Sequence, residues 1–397
     1  MSGTGSRLSK LECRSCCSEV DPTHLVGTCP TCGSALLATY DLTALGPSEW
    51  RRELASRDRS LWRYRELLPV AAMESIVTLG EGGSPILPLG PVPEAPDVEV
   101  WVKDDGGLPT GSFKARGMAV AVSRAKELGA RDLFVPSAGN AGVALAAYSA
   151  RAGLSARVYL PERTPPGMRA ACEGYGAQVT EVPGTIREAG ENARRIEKGR
   201  GAFEMSTLRE PYRVEGKKTM GFEIFEQSFP DSFPDAILYP TGGGTGLVGM
   251  AKAFAELQAI GALDRTPRLY AVQPAGCAPV VRALRDDAPR IEPWAEPSTL
   301  APGLLVPAPF ASERVLEAVR TTRGGGVTVS DRAIVGAMRA LARRHGISVC
   351  PEGAATYAAL PLLRQSQAIR AGERVLLYNT GTGIGFSVEE LERRLTG

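Results

Sequence analysis

The sequence predicts an α/β protein in which mostly parallel sheets are flanked by helices, with a small cysteine-rich segment in front. From residue 98 onward, short apolar runs with strand composition alternate with helical segments. Several of these strands end in a Gly- and Ser-rich turn that leads into a helix, as is typical of parallel sheets. Two Cys-x-x-Cys pairs within the first 32 residues predict a separate metal-binding segment.

Bulk composition narrows the class of protein. The 397 residues are 43% hydrophobic and 23% charged, with a formal net charge of +2, so disordered and fibrous classes are excluded. A balanced charge does not predict a nucleic-acid or membrane partner, and we expect a small-molecule ligand instead. Because no apolar stretch is long enough to span a bilayer and the first residues lack a secretory pattern, we expect a cytoplasmic protein.

The N-terminal cysteines have the spacing of a zinc ribbon. The two pairs consist of Cys13, Cys16, Cys29 and Cys32. Four thiolates can close a tetrahedral zinc shell and fold a segment that is too small for its own core. The alternative is a set of free thiols without metal. Cys17 and His24 are predicted to be bystanders, and a closed shell predicts a structural role.

Lys114 is the first candidate catalytic residue. The strand predicted at 98–105 and the turn GGLPTGSF place it at the start of a helix, where the positive end of the macrodipole disfavours a charged lysine. A neutral amine suits covalent attachment to an aldehyde or proton transfer. The alternative is a structural lysine. Lys103 and Lys126 are interpreted as solvated charges.

Other polar groups stand at predicted turns and helix starts. Ser84 lies in a Gly/Pro-punctuated loop at 81–90, where we expect an exposed turn that could touch substrate. Asn140 follows the strand that begins at residue 132 and could either bind a ligand or cap the helix. Four basic residues precede or begin a helix within 203–227: Arg209, Arg213, Lys217 and Lys218. Such a group either binds an anion or forms a solvated face of the helix.

The glycine run PTGGGTG at 240–246 follows an apolar strand and precedes an apolar helix. Its backbone N–H groups can surround a phosphate. The run lacks the Gly-Lys-Ser/Thr ending of a nucleotide P-loop, so a small phosphate monoester fits it better. Thr380 and Thr382 end a further strand at 374–383, and ligands bind at such strand ends in parallel sheets.

Five of these motifs together resemble a known family. PTGSFK around Lys114, SAGN at 137–140, the glycines of 242–246, PEGAA at 351–355 and NTGTG at 379–383 resemble, in this order, the fold type II pyridoxal-phosphate enzymes, and specifically threonine synthase. The resemblance implies two open, mostly parallel-sheet domains like those of the tryptophan synthase β subunit. It predicts a zinc-ribbon-like segment at 1–45, a large cofactor-binding domain at 46–120 and 215–397, and a small α/β domain at 121–214.

The resemblance also implies roles for single residues. Lys114 would be the Schiff-base lysine and would move substrate protons, Asn140 would bind the phenolic oxygen of pyridoxal phosphate, and Phe113 would border its ring. The phosphate of the cofactor would be held by Gly242, Gly243, Gly244, Thr245 and Gly246. Thr380 would face the pyridine nitrogen, where a neutral hydroxyl leaves the cofactor a gentler electron sink than a carboxylate does.

The implied reaction converts O-phospho-L-homoserine and water to L-threonine and phosphate, in an enzyme that is often a homodimer. Candidate substrate-binding residues are Ser84, Ser112, Arg213, Lys217 and Lys218.

The chain departs from the threonine synthase pattern at Ala115, Ala141, Thr207, Leu208 and Ile384. Alternatives are therefore a cysteate-synthase-like replacement on O-phosphoserine, a threonine or serine deaminase, or a catalytically inactive, cofactor-binding regulatory protein.

Overall fold

The computed structural model describes residues 5–43, 45–137, 139–162 and 164–396. It divides the chain into two compact units. The first consists of Met1–Gly83, Lys114–Thr219 and Ala259–Ala262, and the second of Ser84–Phe113, Met220–Gln258 and Leu263–Gly397. The α/β class is confirmed, whereas the domain boundaries proposed from the sequence stay a prediction.

The described strands and helices follow one another in the predicted alternation. The strands are β1 (Leu8–Glu12), β2 (Glu19–Val20), β3 (Leu37–Tyr40), β4 (Ile86–Pro88), β5 (Glu99–Asp104), β6 (Asp132–Pro136), β7 (Ser155–Pro161), β8 (Gln178–Val182), β9 (Phe203–Glu204), β10 (Ala236–Pro240), β11 (Arg268–Pro274), β12 (Gly325–Val329) and β13 (Arg374–Asn379). The α-helices are α1 (Pro47–Ala55), α2 (Lys114–Glu127), α3 (Asn140–Ala152), α4 (Pro166–Gly174), α5 (Ile186–Glu197), α6 (Tyr212–Ser228), α7 (Thr245–Ala259), α8 (Pro279–Arg285), α9 (Ser312–Thr321), α10 (Asp331–His345), α11 (Pro351–Gln365) and α12 (Val388–Thr396). Short 3₁₀ helices lie at Leu61–Leu67, Met73–Ser75, Pro109–Gly111 and Pro302–Leu304.

The first unit contains two sheets. Strands β2, β1 and β3 form a three-stranded antiparallel sheet in the cysteine-rich segment, which we call the ribbon (residues 5–43). Strands β8, β7, β6 and β9 form a parallel four-stranded sheet in that order. Helices α2 to α5 alternate with these strands, so the parallel pairing follows from the helical crossovers that the sequence predicts.

The second unit is built on a six-stranded sheet with the order β12-β11-β10-β13-β5-β4. All neighbouring pairs are parallel except β4, which is antiparallel to β5 at one edge. Val100, Leu238 and Leu377 on its central strands are buried in one apolar core with Tyr357 and Leu360 of α11. Burial on both faces explains why these strands are continuous apolar runs in the sequence.

No helix in the described part of the chain is both long and apolar enough to cross a membrane.

Candidate functional site

Three turns of the second unit lie at one edge of its sheet. They follow β5, β10 and β13, which are adjacent parallel strands, so their carboxyl ends meet at the same edge. Two backbone hydrogen bonds join the turns after β5 and β13: the N–H of Phe113 donates to Thr380 O at 3.0 Å, and that of Thr382 donates to Gly111 O at 2.9 Å. The predicted Phe113 and Thr380 are thereby brought together, and Lys114 is the next residue along the chain.

The glycine loop after β10 is packed too closely for side chains. A Cβ on Gly242 would lie 2.4 Å from Gly303 O, and one on Gly246 would lie 2.0 Å from the Tyr239 hydroxyl. Gly244 has a φ of +73°, which favours glycine. No residue within the described ranges accepts a hydrogen bond from the N–H groups of Gly242, Gly243 or Gly244. Together with the start of α7 at Thr245, these donors fit the phosphate of pyridoxal phosphate.

The hydroxyl of Thr380 lies in a buried polar group that includes a thiol. Thr380 is 5% exposed, and the Cys350 Sγ lies 3.7 Å from its Oγ1 and 3.6 Å from the Asn379 Oδ1. Burial raises the pKa of the Cys350 thiol well above its usual value. The thiol is therefore neutral, and the Thr380 hydroxyl has an uncharged side chain as its neighbour on this side.

The two candidate serines of the second unit differ in their partners. Ser112 is fully buried, and its Oγ has no hydrogen-bond partner among the described residues. A buried, unsatisfied hydroxyl is costly, so a ligand that satisfies it would bind favourably. Ser84 is only 4% exposed and donates to the Asp105 Oδ1 at 2.6 Å. The expectation that Ser84 lies in an exposed turn is therefore wrong, because this carboxylate holds it inside the unit.

Lys103 is also buried, contrary to the solvated charge expected from the sequence. Its Nζ lies 2.7 Å from the Glu223 Oε2 and donates to the Ser84 carbonyl oxygen at 2.6 Å. A buried lysine is stable when an anion and further acceptors surround it in this way. Lys103 is thus part of the core of the second unit.

In the first unit, Lys114 begins helix α2 as predicted, and α2 runs against the start of α6. A Cβ on Gly216 would lie 2.0 Å from Arg116 O, and one on Gly117 would lie 3.0 Å from Arg213 O. Only glycine allows two helix backbones to approach so closely. This approach places Lys114 within electrostatic reach of Lys217 on α6.

Arg213 and Lys217 lie one turn apart on α6 and are each 1% exposed. Arg213 donates from Nη1 to the Met205 carbonyl oxygen at 2.6 Å, while its Nε and Nη2 have no hydrogen-bond partner among the described residues. Burial lowers the pKa of Lys217 well below its usual value, and the positive charges of Arg213 and Lys114 lower it further. We call Lys114, Arg213 and Lys217 the cation cluster. An anionic ligand would relieve the cost of burying it.

One carboxylate accompanies the cation cluster. Glu210 accepts hydrogen bonds on Oε2 from the N–H groups of Tyr212 at 2.7 Å and Arg213 at 2.9 Å, so it caps the start of α6. Burial raises the pKa of Glu210 to about 7, although the Arg213 charge and the two N–H donors oppose that rise. Sequence reasoning missed Glu210, and its position just before a predicted helix start is the signal that could have found it.

Asn140 is half-buried at the first residue of α3. The preceding turn is held by the Ser137 Oγ, which accepts hydrogen bonds from the N–H groups of Gly139 at 3.2 Å and Gly142 at 3.0 Å. Because Ser137 makes these capping contacts, Asn140 is not required as the helix cap. Ala138 of the same motif lies outside the described residues.

The ribbon brings its four predicted ligands together. The Sγ atoms of Cys13, Cys16, Cys29 and Cys32 all lie within 4.8 Å of one another. The Cys13–Cys32 and Cys16–Cys29 separations are 3.5 and 3.6 Å, close to the separation of about 3.8 Å that tetrahedral zinc with Zn–S bonds of about 2.3 Å requires. Burial would raise the pKa of Cys29, but the N–H groups of Cys32 and Thr31 outweigh it and lower that pKa to about 6. The donor set therefore fits zinc.

Comparison with known proteins supports the resemblance to pyridoxal-phosphate enzymes. The sequence model of the pyridoxal-phosphate dependent enzyme family matches residues 77–381. The chain is 34% identical over 374 residues to the threonine synthase of Methanocaldococcus jannaschii, covering 94% of this chain and 92% of the relative. It is 35% identical to that of Synechocystis over 324 residues, covering 81% of each chain. Among solved structures, the threonine deaminase of T.th. is similar with a TM-score of 0.61 and 28% identity, covering 73% of this chain and 89% of that one.

Proposed function

Because the chain belongs to the pyridoxal-phosphate dependent enzymes, with threonine synthases as relatives over most of its length, we propose that it acts on a phosphorylated amino acid as a threonine synthase. The reaction would convert O-phospho-L-homoserine and water to L-threonine and phosphate. The observation that carries this choice of substrate is the buried cation cluster, with the two unpartnered nitrogens of Arg213. A phosphate monoester offers the oxygens that these donors require.

Lys114 would be the catalytic residue. Pyridoxal phosphate, when bound, supplies an electron sink that stabilises negative charge at the substrate α carbon. The Lys114 amine would move protons at the α and β carbons. The start of helix α2 also favours a neutral amine at Lys114, because the positive end of the macrodipole disfavours a charged lysine there.

The remaining residues would hold and orient the cofactor. The glycine loop Gly242–Gly246 with Thr245 would bind its phosphate, Asn140 would donate to its phenolic oxygen, and Phe113 would border its ring. Thr380 would accept or donate a hydrogen bond at the pyridine nitrogen without giving up a full proton. The cofactor would then favour elimination and replacement at the β carbon.

Arg213 and Lys217 would bind the phosphate of the substrate, and Ser112 would bind another polar group of it. Ser84 would have an indirect role. It donates a hydrogen bond to the Asp105 carboxylate and would thereby help to position the turn after β5. A homodimer and a cytoplasmic location stay predictions.

The substrate is tested by incubating the protein with pyridoxal phosphate and, separately, O-phosphohomoserine, O-phosphoserine and threonine. We expect phosphate and threonine from O-phosphohomoserine, and the Lys114→Ala variant serves as the control with strongly reduced turnover. Phosphate release from O-phosphoserine alone would contradict threonine synthase activity and indicate a cysteate-synthase-like replacement. Production of a keto acid from threonine alone would indicate a deaminase.

We also propose that the ribbon holds one structural zinc ion. Purified protein should contain about one zinc per chain, because four thiolates complete a closed tetrahedral shell. Cys29→Ser should lose the metal, whereas Cys17→Ser should retain it, because Cys17 is exposed and outside the cluster. Elemental analysis of both variants checks this. Zinc that stays near zero after reconstitution of the unmodified protein would refute it.

A further inference from the structure

The last strand of the ribbon docks on helix α6 through three buried side chains. The Tyr40 hydroxyl donates to the Glu215 Oε2 at 2.9 Å, and the Lys218 Nζ lies 2.7 Å from the same oxygen. The Lys218 Nζ also lies 3.9 Å from the centre of the Tyr40 ring. Tyr40 is 6% exposed, and Glu215 and Lys218 are fully buried. We call these three residues the docking triad.

Two further contacts tie the ribbon to the same part of the first unit. A Cβ on Gly27 would lie 2.9 Å from Arg209 O, so the ribbon backbone touches the segment just before α6. Arg124 of α2 donates from Nη2 to the Pro22 carbonyl oxygen at 2.5 Å. The ribbon therefore contacts both helices whose close approach forms the cation cluster.

The docking triad and the cation cluster use opposite faces of the same two turns of α6. With 100° per residue, Lys217 lies about 40° around the helix from Arg213, whereas Glu215 and Lys218 lie about 200° and 140° away. The adjacent lysines Lys217 and Lys218 thus have different surroundings. One belongs to the cation cluster, and the other pairs with Glu215 beneath the ribbon.

We infer that the ribbon is a positioning module for the phosphate-binding end of α6, and that Lys218 anchors the ribbon instead of binding substrate. The buried Glu215–Lys218 pair is stable only with well-placed partners, because breaking a buried ion pair leaves an uncompensated charge. The Tyr40 hydroxyl and ring supply such partners from the ribbon. Docking therefore fixes the first two turns of α6, and with them Arg213 and Lys217. The effect on substrate rests on the proposed function, whereas the docking itself does not.

The main test is amide hydrogen exchange in the Tyr40→Phe variant, which keeps the ring and removes only the hydroxyl. Loss of a buried hydrogen bond to a charged group should speed exchange in residues 209–219 about tenfold. Tyr175→Phe is the matched control, since Tyr175 is 45% exposed. Unchanged exchange in residues 209–219 of Tyr40→Phe would overturn the inference. This measurement requires no substrate, so it stands even if the proposed reaction fails.

The two adjacent lysines give a second test. With the substrate that proves active, Tyr40→Phe should raise KM about three- to tenfold and change kcat less than about twofold, because binding and not chemistry is disturbed. Lys218→Met should speed exchange within the ribbon, and Lys217→Met should raise KM without that change. If Lys218→Met raises KM as much as Lys217→Met and leaves ribbon exchange unaltered, Lys218 is a substrate residue and the inference is wrong.

Discussion

Replacing Lys114 with alanine should lower kcat by about a hundred- to ten-thousandfold, because the variant loses the group that moves substrate protons. It should also lose the visible absorption that covalent attachment of pyridoxal phosphate to a lysine produces. The fold should survive, since Lys114 is half-buried at the helix start, where a positive charge is unfavourable. Absorption spectra and steady-state kinetics of the reconstituted protein measure both effects.

Lys126→Ala is the matched control for this change. Lys126 lies in the last turn of the same helix, where a cation is favourable, and it has no proposed contact with the cofactor. Its variant should keep the absorption band and the kcat of the unmodified protein. If Lys114→Ala kept both the absorption band and kcat, another lysine would hold the cofactor, and the covalent and catalytic roles of Lys114 would be contradicted.

Replacing Arg213 with methionine should raise KM for the phosphorylated substrate about a hundredfold, since a buried charge that binds an opposite charge contributes roughly 2–5 kcal/mol. The inhibition constant of inorganic phosphate, as a competitive inhibitor, should rise to a similar degree. Methionine fills a comparable apolar volume but offers none of the guanidinium donors. Steady-state kinetics with the active substrate, together with a thermal melt to verify folding, measures the outcome.

Arg209→Met provides the comparison for Arg213. Arg209 is a partly buried arginine four residues before Arg213, and burial lowers the pKa of Arg209. We expect KM to change less than about threefold in this variant, because Arg209 remains partly exposed and solvent screens its charge. Equal increases in both variants would mean that the segment attracts the substrate through its overall charge, and the specific role of Arg213 would be contradicted.

The order of strands and helices was predictable because their apolar periodicity is local. The strand at Glu99–Asp104, the helix start at Lys114 and the helix at Tyr212–Ser228 all follow the predicted pattern. The kind of ligand that the glycine loop and the cysteine pairs could bind was also predictable, since their spacing alone restricts what they can bind. Membership of the family followed from the same motifs and is confirmed by the relatives.

The surroundings of the charged residues were not predictable. Lys103 looked like a solvated lysine, but its partner Glu223 lies 120 residues further along the chain. Glu210 carried no signal beyond its place before a helix. A side chain's charge is visible in the sequence, whereas its burial depends on which distant segments pack over it.

The adjacent residues Lys217 and Lys218 show which properties the sequence determines and which depend on the tertiary structure. By itself, the sequence determined the α/β class, the candidate lysine, the glycine loop that we propose as the phosphate site, and a cation-rich helix start. Only the tertiary structure decided that Lys217 joins Lys114 and Arg213 while Lys218 pairs with Glu215 and Tyr40. The physical reason is that a 100° rotation between neighbouring helix residues gives them different neighbours, and those neighbours come from segments up to 175 residues apart.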